Sequence, residues 1–99
     1  MYFITVIKTI SEPHIRKCIG YKLDFNDAHI TVCENRSDIY ENKYEYAVIE
    51  YYKPYLYPLA IRKWFYKYNN LFYIMIDVPV EFSDINNFAI GEEYNYGIE

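Results

Sequence analysis

The side chains best suited to nucleophilic, proton-transfer or metal chemistry in this sequence are His14, His29, Cys18 and Cys33. His29 and Cys33 stand four apart, so a helix sets them on one face as half of a zinc site. No CxxC or HxxxH supplies the other half, and neither a metal nor another cofactor is expected. Glu45 and Glu50 fall on opposite faces of one strand and so do not form an acid–base pair by themselves. There is no GxSxG and no phosphate-cradling glycine loop, with only 3 glycines in the chain. The expectation is a protein that is not an enzyme. The two cysteines read as reduced thiols, as is usual inside cells.

The elements that must position any site follow from periodicity. Residues 2–9, YFITVIKT, are β-branched and aromatic on nearly both faces, the mark of a central strand. Pro13 breaks the pattern, and residues 18–24 suggest a short second strand in which Gly20 permits a bulge. Residues 24–36 predict the main helix. Asp24 or Asn26 caps it, Phe25, Ala28 and Val32 line one face, and Arg36 sits in the last turn. Residues 37–44, SDIYENKY, form a turn-bearing connection, and residues 45–53, EYAVIEYYK, read as a strand. PYLYP is an extended loop because each proline lacks an amide and restricts its predecessor. IRKWFYKY and LFYIMIDV then form a hairpin joined at Asn69 and Asn70. One helical turn follows Pro79, and NFAIG reads as a closing strand or edge. The expected fold is α+β, a two-layer sandwich of one main helix on a mostly antiparallel sheet of about four to five strands. Residues 1–91 form the single domain, and 92–99 are a loose acidic tail.

Net charge is -4 and unevenly spread. Residues 1–67 hold all 10 basic side chains, while Asp77, Glu81, Asp84, Glu92, Glu93 and Glu99 follow with none to balance them. Such a surface argues against broad nucleic-acid affinity and suits solubility or a basic partner. No apolar run approaches the roughly 18 residues of a membrane helix, and the N-terminus lacks signal-peptide regions, so a cytoplasmic protein is expected. The 14 tyrosines suit interfaces, but they also accompany frequent Ile and Asn, as AT-rich codon usage produces.

The stretch AIRKWFYKYNN sharpens the question of partners. As a strand it points Arg62, Trp64, Tyr66 and Tyr68 one way and Ile61, Lys63, Phe65 and Lys67 the other. The first set is either a base-stacking platform or a core face packed on the helix with Arg62 reaching out. An RNA-binding protein using Arg62, Lys63, Trp64, Tyr66 and Lys67 is therefore one reading. A phage accessory protein that self-associates through a tyrosine-rich sheet edge is another.

MYFIT at 1–5, ENRSDIYENKYEYAVIE at 34–50, YPLAIRKWFYKYNN at 57–70 and NNFAIG at 86–91 together resemble a family of small proteins from phages and mobile elements of Firmicutes. Its pattern has an MYF start, an N-x-x-D-I-x-E-x-x-Y-x-Y-A-V-I-E centre, a W-F hairpin and an N-F-x-I-G end. The chain departs from it at EYYKPYLYP, where an acidic pair and a glycine are usual. Within that pool, size and acidity look like a type II-A anti-CRISPR protein. The resemblance implies a non-catalytic inhibitor that binds the host's RNA-guided DNA nuclease, interferes with its guide-RNA assembly, or both. No functional residue transfers by motif. The contacts such a partner suggests are Glu81, Asp84, Glu92 and Glu93 as carboxylates facing a basic channel, with Tyr94 and Tyr96 as anchors.

Overall fold

A computed structural model of the chain describes residues 1–10, 14–36, 38–53, 60–85 and 87–89. Five strands, β1 (Tyr2–Lys8), β2 (Ile15–Lys22), β3 (Tyr46–Tyr51), β4 (Arg62–Asn69) and β5 (Phe72–Ile76), form one sheet in the order β2-β1-β3-β4-β5. Every neighbouring pair is antiparallel. One helix, α1 (Phe25–Cys33), lies on one face, so the fold is the expected α+β two-layer arrangement.

Several expected boundaries shift for local reasons. Asp24 caps α1 by accepting from the Asp27 amide at 3.2 Å. The helix stops before Arg36 because Asn35 turns left-handed, at φ 52. Asn35 and Arg36 then donate back to the carbonyls of Val32 and Thr31, the Schellman arrangement that satisfies the last carbonyls. Arg36 instead pairs with Glu34 on the surface. β2 begins earlier than its composition suggests, since β1 extends the ladder to Ile15, opposite Lys8. The bulge expected at Gly20 is present: register shifts between Ile4 and Thr5, and Gly20 adopts φ +151. The β4–β5 loop is Asn70–Leu71, one residue later than expected. Both have positive φ, 56 and 83, as a two-residue hairpin turn with the sheet's twist requires. The helical turn after Pro79 is a 3₁₀ turn at Val80–Phe82, and a second such turn spans Ile39–Asn42. Residues 87–89 are not a strand; Ile90, Gly91, the PYLYP loop and the tail at 92–99 lie outside the described residues.

The two sheet faces have different covers. On the helix side Ile4, Val6, Ala47, Ile49, Tyr66 and Tyr73 pack with Ala28 and Val32, flanked by Tyr2, Tyr40, Tyr44 and Tyr68. On the other side Ile7, Val48 and Phe65 lie beneath Phe82 and Phe88, which come from the chain after β5. Much of the tyrosine excess is therefore structural. Tyr40 stacks on Tyr68 at 3.6 Å between centroids, and the Tyr73 hydroxyl donates to the Tyr44 carbonyl at 2.6 Å.

Candidate functional site

Alternation along β3 and β4 decides which aromatic residues are available. Tyr66 lies opposite Ala47 and Trp64 opposite Ile49, which places both on the helix side. Tyr66 is fully buried, and Trp64 packs on Phe25 with centroids 4.5 Å apart. Lys63, Phe65 and Lys67 take the opposite face. The five residues of the RNA-contact reading thus do not share a surface, and its two rings serve the core. Arg62 reaches over the Trp64 ring at 5.0 Å and Lys67 over Tyr46 at 5.8 Å.

The His29–Cys33 pair forms as helix spacing dictates, but its third neighbour is a tyrosine. His29 Nδ1 is 2.8 Å from the Tyr66 hydroxyl, and its Nε2 is 3.6 Å from Cys33 Sγ. Burial raises the Tyr66 phenol far above its ordinary value. It also pushes up both thiols, Cys33 with added repulsion from Glu34. Protonated thiols are poor nucleophiles and poor metal ligands. Among the described residues no group of three His, Cys, Asp or Glu side chains is placed to hold a metal. Cys18 and Cys33 are free thiols serving different core clusters. A pocket of about 180 Å³ beside Lys17, Asp38, Asn42 and Tyr44 is below the roughly 300–1,000 Å³ of ordinary small-molecule sites.

The most organised polar site is one that local spacing does not reveal. Glu50, the next-to-last residue of β3, is fully buried. Its Oε2 accepts from the Phe88 amide at 2.8 Å and its Oε1 from the Ala89 amide at 2.6 Å. Burial raises the carboxyl above its ordinary 4.5, while the two amides, the Lys63 ammonium and the Tyr52 hydroxyl favour its charged form. Lys63 also donates to the Ile85 carbonyl at 3.1 Å, Arg16 to the Asn87 carbonyl at 3.2 Å, and the Ala60 amide to Asn87 Oδ1 at 3.1 Å. Residues 80–85 and 87–89 therefore act as a strap, latched at 87–89 by polar bonds and at Phe82 by aromatic packing on Phe65, Tyr46 and Phe88. The signal in the sequence was a lone glutamate inside the apolar run AVIEYY, where a charge requires compensation.

The strap carries two of the residues named as expected partner contacts. Glu81 and Asp84 flank buried Phe82 and are exposed, as is Asp77 just before them. Val78 and Val80, exposed at 52% and 87%, lie among these acids. Glu92, Glu93, Tyr94 and Tyr96 lie outside the described residues.

No protein-family model matches the chain, and searches of curated proteins and of solved structures return no match. Among the described residues no helix is long and apolar enough to cross a membrane.

Proposed function

We propose that this protein is a non-catalytic binding module whose strap docks on a basic protein surface, and that the partner is a type II RNA-guided DNA nuclease in the bacterial cytoplasm. The observation that carries the docking surface is the anchoring of Phe82 between exposed Glu81 and Asp84. Anchoring the backbone at Phe82 lowers the ordering cost of binding through this segment, and the exposed apolar Val78 and Val80 beside it add desolvated contact. A nuclease channel built to accept guide-RNA phosphates offers the complementary charge. The choice of nuclease rests on the sequence resemblance, which supplies the first partner to test.

The test is DNA cleavage by purified type II nucleases, with the protein added before or after guide RNA. Inhibition only on early addition marks interference with guide assembly; inhibition at both stages marks occlusion of the loaded enzyme. Glu81→Lys with Asp84→Lys should weaken inhibition by about tenfold or more, since like charges across an interface are costly. No inhibition at either stage across several subtypes overturns the nuclease assignment.

A further inference from the structure

Among the described residues no strand pairs with the outer edge of β2 or of β5, and only β2, with Arg16, Lys17, Lys22 and its bulge, carries the usual protection. We propose that β5 pairs antiparallel with β5 of a second copy of this chain, about a two-fold axis at Ile74, giving a continuous sheet of ten strands.

An exposed edge strand is normally blunted by charge, proline or a bulge. β5, Phe-Tyr-Ile-Met-Ile, has none of these, and Phe72, Ile74 and Met75 are 55%, 46% and 43% exposed. The tight hairpin makes Asn69–Phe72 a hydrogen-bonded pair, so alternation directs the backbone groups of Phe72, Ile74 and Ile76 toward β4. Those of Tyr73 and Met75 face outward. Among the described residues no backbone hydrogen bond outside the β4–β5 ladder engages them.

The occupant follows from self-complementarity. With Ile74 on the axis, Tyr73 of one copy pairs with Met75 of the other, and each outward amide meets an outward carbonyl. On the strap side Phe72 falls opposite Ile76 and Ile74 opposite itself, an unbroken apolar row. No charge lies within the paired segment, and the nearest acid, Asp77, is three residues from the axis, so the symmetric pairing opposes no like charges. The contact is confined to one strand edge, Phe72 to Ile76 with Leu71 beside it, and so belongs at the small end of interfaces, below about 1,200 Å², where association is weak. The dimer should therefore be weak and concentration-dependent. The inference is independent of the nuclease reading.

Sedimentation velocity on the full chain, from about 1 to 500 μM, should show a monomer giving way to dimer. Ile74→Lys sets two ammonium groups opposite each other and should weaken the dimer by about tenfold or more. Met75→Pro removes an amide pointing out of the sheet and should do the same while leaving the β4 ladder intact, as the circular dichroism spectrum would verify. Leu23→Lys, at another exposed apolar position, should have no effect. Ile74→Cys should form an intermolecular disulfide on mild oxidation, and Phe72→Cys should not, because only the first residue meets itself. A monomer at every concentration overturns the proposal and leaves the edge to a strand from a different protein. A dimer that ignores both β5 variants places self-association on another face and overturns it equally.

Discussion

The helix-side face and the strap-side face of the sheet solve the same problem by different means. Under α1 the cover is regular, apolar and aromatic, and its polar tips find partners nearby, as Tyr66 does at His29. Under the strap the cover is mostly irregular chain whose amides need acceptors, and one buried carboxylate supplies two of them. A helix satisfies its own backbone, whereas a strap must borrow acceptors from the sheet it covers. Glu50 is thus the structural cost of covering a face without a second helix.

The largest expected effect comes from removing that acceptor. Glu50→Ala leaves the Phe88 and Ala89 amides buried and unpaired and should destabilise by about 3 kcal/mol in urea unfolding. Hydrogen exchange at those amides should rise while Val32 in α1 stays protected; equal loss on both faces would erase the distinction drawn above. Val32→Ala opens a cavity under the helix and should cost about 2 kcal/mol, with loss of protection centred on α1.

Glu50→Gln is a finer probe, since the amide side chain can accept one strap bond but presents a donor to the other. At neutral pH it should cost about 1–2 kcal/mol. Its pH dependence carries a definite sign. Because the folded carboxyl titrates above its ordinary 4.5, the folded state holds the extra proton in the interval between the two values. The Glu50 contribution to stability must then fall as pH rises through that interval. Unfolding measured from pH 4 upward in both proteins should show this slope in the wild type and not in the glutamine variant. Asp24→Ala removes the α1 cap and should cost about 1 kcal/mol, with no such pH signature at the strap.

What could be read from the sequence was what neighbours in the chain decide. The Asp24 cap, the Phe25, Ala28 and Val32 face, the Gly20 bulge and the β4–β5 hairpin all rest on contacts within a few residues or on one alternating strand. The hairpin loop slipped by one because Leu71, an uncommon residue for positive φ, takes the second turn position. Alternation separated Trp64 and Tyr66 from Lys63 and Lys67 but could not say which set would meet the helix, a choice made by β3 and α1 together. The latch was the least legible, since Glu50 and its amides lie 38 and 39 residues apart. Of the expected contacts, Glu81 and Asp84 were legible only as charge. Their placement depends on Phe82 reaching Phe65 across the fold.

The separation between Glu50 and its partners also sets an order of events during synthesis. At about 5–20 residues per second, a ribosome adds the 38 residues from Glu50 to Phe88 in roughly 2–8 seconds. Until then β3 carries a carboxylate with no strap amides to receive it. The latch on the second face therefore cannot close before the strap itself has been translated.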